Sequence, residues 1–301
     1  MVDLYSFSQI IKNHPTYKLR NDEIHKIYQA LGREGKLTPE LLLSEFKVYL
    51  PELSGDLQKS FQLYTKIREQ NLNLKMKGYS LVCYGEELYP PTCYLMEDPP
   101  LTISYLGSPV WLMGQTISVV GSREPSSESL AWMENEFAPF CEQVRPCVVS
   151  GGARGIDQKS HSIALRKAAS TVVVLPSGLG QIYPSSLESW VHSILDGGGS
   201  LLSEYAFEQR MHKYLFHHRN RLIAALGKAT LLVEAKRRSG TIITAQKSIQ
   251  LGHSVWVVPG HPLDPHFNGS LDLLSEGALM VRDAQDLVMF YGSEVRSKIF
   301  I

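Results

Sequence analysis

The sequence predicts an α/β protein built on a mostly parallel sheet with helices on both faces, preceded by a small N-terminal helical bundle. Three observations carry that expectation. From Thr116 onward, short β-branched runs alternate with stretches of helical period, the pattern of successive βα units. Four of those runs end in glycine-bearing turns: Gly121-Ser122-Arg123, Ser150-Gly151-Gly152-Ala153-Arg154-Gly155-Ile156-Asp157, Pro176-Ser177-Gly178 and, after Glu234, Ser239-Gly240-Thr241. Turns at the carboxyl ends of parallel strands are where such a sheet gathers its ligand. The first 75 or so residues, by contrast, read as helices throughout.

Within that first stretch, Leu4, Phe7, Ile10 and Ile11 recur at helical spacing, as do Ile24, Ile27 and Leu31, with Gly32 as a stop. Pro39 suits a first helical turn, and Phe61, Tyr64, Ile67 and Leu72 mark a further amphipathic helix. These helices make a bundle over 1–77, readable as a packing or interaction module without chemistry. The second domain, 78–301, opens with β segments at 80–84 and 101–105, separated by the turns Tyr89-Pro90-Pro91 and Asp98-Pro99-Pro100. Further strands are expected at 117–120, 147–149, 171–175, 200–202, 230–233 and 254–258. Helices are expected over 126–143, 155–169, 185–194, 213–225 and 241–251, and a last pair of elements at 278–281 and 284–291 closes the chain.

Lys plus Arg and Asp plus Glu balance at 30 each, so no global field draws in a polyanion and any nucleic-acid surface has to be local. Cys83, Cys93, Cys141 and Cys147 show neither zinc-ligand nor disulfide-framework spacing, which fits a reducing cytoplasm. The N-terminus lacks a signal-peptide core and no stretch approaches a membrane span, so a soluble cytoplasmic protein without membrane association is expected.

Short side chains at the glycine turns let backbone N–H groups and helix N-termini approach an anion, which points to a nucleotide or a nucleic-acid backbone. Arg123 suits bidentate phosphate binding; the alternative is a surface pair with Glu124 or Glu128. The loop 150–157 has the strand, glycines and helix start of an anion cradle, yet follows neither G-x-G-x-x-G nor the Walker pattern, which disfavours an ordinary dinucleotide or ATP site. Asp157 falls in the first helical turn, as a cap or as a ligand contact. Arg219 and Arg221, two apart on a helix, point to different faces, so one enters the site and the other serves the surface or a cap. His212, His217, His218, His261 and His266 have no zinc spacing, and no metal is expected. Lys236-Arg237-Arg238, just ahead of Ser239-Gly240-Thr241, is the densest local basic patch, either a solvated loop or a phosphate grip.

Laid end to end, these segments resemble the DNA-processing protein A (DprA, also Smf) family. The resemblance runs in order through Val119-Val120-Gly121-Ser122-Arg123, Ser150 to Asp157 with His161, Leu175-Pro176-Ser177-Gly178-Leu179, Tyr183-Pro184 and Ser203-Glu204. It continues through Phe216 with Arg219-Asn220-Arg221, Val233-Glu234-Ala235, Ser239-Gly240-Thr241, Thr244-Ala245, Val258-Pro259-Gly260 and Gly277-Ala278. It implies an extended Rossmann-like domain, behind a bundle similar to a sterile-alpha-motif or helix-hairpin-helix domain. It also implies a binding protein without catalysis or cofactor, one that holds and protects single-stranded DNA and helps load the RecA recombinase in natural transformation, commonly as a homodimer. By the same resemblance Gly121, Ser122, Arg123, Gly151, Gly152, Arg154, Gly178, Asn220, Arg221, Ser239, Gly240 and Thr241 line the pocket, and the basic patch adds Arg238. Phosphates need cations and N–H donors, and sequence-tolerant binding needs no base-edge code.

The chain departs from the family pattern in three places. Ser185 and Leu187 stand where the family usually carries a basic residue and an asparagine; Phe216-His217-His218 replaces Phe-Pro; and the winged helix that many relatives carry at the carboxyl end is not expected here. Two other function classes stay open. Nucleotide phosphoribohydrolases of related fold carry a Pro-Gly-Gly-x-Gly-Thr-x-x-Glu loop, but Thr244 stands here where the catalytic glutamate would be, leaving Glu204 and Glu234 as possible acids or as acceptors of backbone amides. The third class is a protein-interaction scaffold with a weakened DNA pocket.

Overall fold

In a computed structural model, residues 78–84, 86–100 and 102–297 are described. The helical bundle expected over 1–77 lies outside them. The described residues fall into two units, one comprising the stretch up to Leu106 with Glu204–Ala206, the other Gly107–Ser203 with the stretch from Phe207 onward. In the first, β1 (Ser80–Cys83) pairs antiparallel with β2 (Thr102–Gly107), Ser80 opposite Tyr105 and Cys83 opposite Thr102. The proline-marked stretch between them, expected as turns alone, holds a 3-10 helix, Pro91–Leu95, entered through a proline as helix starts favour. Tyr84, Tyr89 and Tyr94 meet pairwise with ring centroids 4.8–5.4 Å apart, and the Tyr89 hydroxyl donates to the Pro100 carbonyl at 2.7 Å.

The second unit is the parallel sheet that the βα alternation predicts. Its strands are β3 (Thr116–Val120), β4 (Cys147–Ser150), β5 (Thr171–Val174), β6 (Ser200–Ser203), β7 (Ala229–Leu232), β8 (Ser254–Val257) and β9 (Leu279–Met280). They lie in the order β6-β5-β4-β3-β7-β8-β9, every neighbouring pair parallel. The fold is Rossmann-like, with mostly parallel strands. Runs such as Thr171-Val172-Val173-Val174 are buried along their whole length, as strands covered on both faces require.

Helices cover both faces. A long helix after β3 comprises α1 (Ser127–Trp132), a π-helical turn (Met133–Phe137) and α2 (Ala138–Val144). The others are α3 (Ile156–Arg166), α4 (Val191–Asp196), α5 (Lys213–Leu226), α6 (Gly240–Gln250), α7 (Asn268–Ser275) and α8 (Ala284–Ser297). Alternate residues of β3 show the two faces. Ile117 and Val119 join a fully buried core with Phe137, Phe140, Ile156, Trp256 and Tyr291, drawn from the long helix, α3, β8 and α8. Ser118 turns the other way, and its hydroxyl donates to the Ile223 carbonyl of α5 at 2.5 Å. On that same side Thr230 of β7 and Ser248 of α6 share a hydroxyl pair at 2.6 Å.

Three elements differ from expectation. α3 stops at Arg166 rather than 169, because Ala168 turns left-handed at φ 52°. The helix expected over 185–194 begins as a 3-10 turn, Ser185–Trp190, before α4. α7 was hidden behind the proline-rich stretch Pro262 to Pro265, where the Asp264 carboxylate accepts the His266 amide at 2.9 Å and leads the chain into the helix through a short 3-10 turn.

Candidate functional site

The sheet order reverses between β3 and β7. From β3 the chain steps outward through β4, β5 and β6, then returns to β7 on the other side of β3, with Ser118 opposite Thr230 and Val120 opposite Leu232. Crossovers leaving to opposite sides open a crevice at the carboxyl ends of the two strands. A cavity of about 690 Å³ occupies that crevice. Gly121, Ser122 and Arg123 enter it from the turn after β3, Glu234, Ala235 and Lys236 from the turn after β7, and Ser239, Gly240 and Thr241 from the start of α6. Lys213, Phe216, His217 and Asn220 add one stripe of α5, at the i, i+3, i+4, i+7 spacing of a helix face.

Phe216 is the centre of the wall. The Arg123 guanidinium lies over its ring at 4.9 Å from the centroid, Arg219 lies over it at 5.5 Å, and Tyr183 meets it edge-on at 5.5 Å. Guanidinium groups over an aromatic face are held to it by cation–π attraction. The turns around it are cross-tied: Thr241 donates its hydroxyl to the Gly121 carbonyl at 3.0 Å, and the Asn220 side-chain amide donates to the Gly240 carbonyl at 3.2 Å. Ser239 caps α6, its hydroxyl accepting the Ile242 amide at 3.4 Å. The first amides of α6 therefore sit at the cavity edge, where the helix dipole favours an anion.

Beneath the cavity, the loop after β4 is filled by the protein itself. Arg219 is 2% exposed, and its Nη1 donates to the carbonyls of Gly151, at 2.8 Å, and Val174. A Cβ on residue 151 would stand 2.3 Å from that Nη1, so the missing side chain is the space the guanidinium takes. Gly155, at φ 84°, turns left-handed into α3, and a Cβ there would meet the Ser122 carbonyl at 2.3 Å. Asp157, also on the cavity wall, accepts the Ala153 amide at 3.3 Å. Burial pushes its carboxyl up to about 6, opposed by the Arg219 charge and by hydrogen bonds from Ala153, Ser150 and Gly151. His161, one turn on, is fully buried with Nδ1 2.7 Å from the Thr171 hydroxyl; burial, then the Arg219 charge, pushes it down to about 3, so it is neutral. Thr171 gives its own proton to the Val148 carbonyl at 2.7 Å, so His161 Nδ1 is the donor and Nε2 carries the lone pair.

Glu234 is fully buried at the end of β7. Its Oε2 accepts the Ser126 amide at 2.8 Å, the Ser126 hydroxyl at 2.8 Å and the Ser129 hydroxyl at 2.7 Å, pinning the start of α1 to the cavity floor. In the basic patch, Arg237 is bound through two contacts of 2.5 and 2.7 Å to Asp272, Lys236 lines the cavity, and Arg238 is exposed with a left-handed φ of 56°. Among the described residues no three His, Cys, Asp or Glu converge as metal ligands.

Of the residues singled out in the sequence, the structure brings Gly121, Ser122, Arg123, Asn220, Ser239, Gly240 and Thr241 together around the cavity. Gly151 and Gly152 are buried behind the wall, Gly178 is buried with its amide donating to the Gln209 carbonyl at 2.8 Å, and Arg154 and Arg238 are exposed beyond it. The helical spacing separates Arg219 from Arg221 as expected, and Arg219 is the one at the cavity; Arg221 is also buried, its Nε donating to His218 Nε2 at 3.2 Å, rather than at the surface. Arg123 rests on Phe216 and not on a neighbouring glutamate. Lys213 escaped the sequence reading, although stepping back one helical stripe from Asn220 through Phe216 reaches it.

The sequence model of the family described as DNA recombination-mediator protein A matches residues 80–292. Among curated proteins, the chain is 28% identical to the DNA processing protein DprA of Streptococcus pneumoniae over 92% of this chain and 98% of that one. It is 32% identical to the Escherichia coli protein Smf over 71% of this chain and 57% of that one. The solved structure of the Streptococcus pneumoniae protein superposes with a TM-score of 0.77 at 26% identity, covering 95% of this chain and 97% of that one. The DNA processing protein A of Helicobacter pylori, whose structure describes a single-stranded DNA binding mode, superposes with a TM-score of 0.61 at 24% identity, covering 73% and 96%.

Proposed function

The chain belongs to the DNA recombination-mediator protein A family, and on that premise we propose that it binds single-stranded DNA at the β3–β7 crevice, as a mediator of recombination and not as an enzyme. One observation carries the reading: an aromatic ring, Phe216, with the Arg123 and Arg219 guanidinium groups against it, in a cavity rimmed by Lys213, Lys236 and the first turn of α6. A nucleobase lies on Phe216, and its flanking phosphates reach Arg123, the lysines and the amides of Gly240 and Thr241. Stacking of this kind tolerates any base, and phosphate contacts carry no sequence information, which suits a protein that handles DNA of arbitrary sequence. Ser185, in place of the family's usual cation, leaves Arg123, Lys213 and Lys236 as the exposed charges of the site.

Two features support binding over catalysis. Thr244 occupies the position of a phosphoribohydrolase's glutamate, and Glu234 has one carboxylate oxygen committed to the cap of α1. Protection of the strand, loading of RecA, a homodimeric state, a cytoplasmic location and a separate bundle over 1–77 belong to the same proposal; among the described residues no helix is long and apolar enough to cross a membrane.

Fluorescence anisotropy of labelled oligo-dT, titrated with salt, tests the site. Wild type binds with affinity that falls as salt rises, and Arg123→Ala weakens binding at least tenfold while lowering the slope of log affinity against log salt by about 1. Unchanged binding by Arg123→Ala would place the DNA elsewhere. Release of free base from nucleoside monophosphates would overturn the non-enzymatic reading.

A further inference from the structure

The start of α5 presents a second pair of rings, His212 and Tyr214. Tyr214 is 67% exposed, and its ring lies parallel to that of His212, with centroids 6.0 Å apart and planes 13° apart. An aromatic side chain left so open contributes little to folding, because most of its apolar surface remains in water. Yet its position is held: His212 is the N-cap residue of α5, and Tyr214 follows in the first turn of the helix. The pair is continuous with the cavity. Met211 and Lys213, the chain neighbours of His212, both line it, and Lys213 stands between the two rings in the chain. Successive residues of a helix are offset by about 100°, so Tyr214 sits one step round α5 from Lys213, beside His217, at the rim and not inside. Arg210 and Lys213, both exposed, add two cations within four residues of Tyr214.

We propose that His212 and Tyr214 form a second stacking platform on the cavity rim, which takes the nucleobase adjacent to the one lying on Phe216. The occupant follows from the chemistry. A strand leaving the cavity past Lys213 carries its next phosphate along that cation, and its next base meets a flat, exposed ring already braced from behind. Any base offers the π-face that such a ring accepts. Lys213 then serves the phosphate between two stacked bases, one on each side of the α5 start.

This inference rests on the single-stranded DNA reading, and the experiment separates the two. Anisotropy with labelled oligo-dT is measured for wild type, Tyr214→Ala and Tyr214→Phe, with circular dichroism to confirm that the exposed substitutions leave the fold intact. Tyr214→Ala is expected to weaken binding about 10-fold, the loss of one stacked base. Its salt slope stays that of wild type, because no ion pair is removed, and Tyr214→Phe binds as wild type does. Tyr214→Trp supplies a further readout against the four native tryptophans: oligo-dT quenches its emission beyond the change seen for wild type. Wild-type binding together with an unimpaired Tyr214→Ala, or a Tyr214→Trp quenched no further than wild type, overturns the platform and leaves the DNA site standing. Absence of binding by wild type overturns the DNA reading and the platform with it.

Discussion

The turn after β4 is filled from within by Arg219, whereas the turn after β7 opens onto the cavity. Both are glycine-bearing segments between a buried strand and a helix start, and both carry arginine. At Gly151 the absent side chain leaves room for a guanidinium that belongs to the fold. At Gly240 the nearest atom to an added Cβ would be the Asn220 amide nitrogen at 3.7 Å, ordinary contact distance, so the room there faces the crevice. A glycine run before a helix therefore does not by itself mark where a ligand goes. What distinguishes the two is whether a buried side chain from another element has already claimed the concavity.

Three substitutions break or sharpen that contrast, the largest effect first. Arg219→Ala leaves the carbonyls of Gly151 and Val174 without their donor and Asp157 without its counter-charge, and is expected to cost about 3–5 kcal/mol in a denaturant titration; a loss below 1 kcal/mol would show that the loop does not depend on it. Gly151→Ala drives a methyl into the same guanidinium and should destabilise by about 1–3 kcal/mol. Gly240→Ala should stay within about 0.5 kcal/mol of wild type while lowering oligo-dT affinity several-fold; equal stability of the two alanine variants would erase the distinction.

A further test is a matter of pH. His161 is depressed to about 3, so the stability it confers is full above pH 6.5 and is lost as pH falls toward 3. Asp157 is raised to about 6, so its contribution is full below about 3.8 and is lost as pH rises through 6. Between about pH 4 and 6 the two slopes oppose each other. His161→Asn removes the first, so its deficit relative to wild type, read from urea midpoints, should be largest at pH 7 and shrink steadily below 6.5. A deficit independent of pH would mean that His161 is not held neutral by burial.

Much of this was legible in the sequence, and the particular misses have a common cause. Strands such as 171–174 announced themselves by β-branched runs, and α6 by Ser239-Gly240-Thr241, because local chemistry alone decides them. Helix spacing separates Arg219 from Arg221, but it leaves open which of them faces the ligand side and gives the other a surface or capping role, whereas the fold buries both. Burial there depends on Gly151 and Val174, more than 40 positions away in the chain, and no local pattern records that meeting. α7 was missed for the opposite reason, since the prolines ahead of it are strong local punctuation that reads as loop. Gly121, Arg123 and Thr241 meet at the cavity because the first two follow the end of β3 and the third opens the helix after β7, and strand ends at a point of reversal converge whatever the intervening chain does.

The Arg219 guanidinium is clamped between two strand ends, while Arg123, Lys213 and Lys236 are exposed, Arg123 resting on Phe216. On the proposed reading, one charge at the site is a fixed jaw held by the fold's own hydrogen bonds, and the exposed ones meet the anion from the rim. Selection would then work by depth: a thin, splayed strand reaches the floor of the crevice, and a duplex, whose paired bases stay on their axis, stops at the rim.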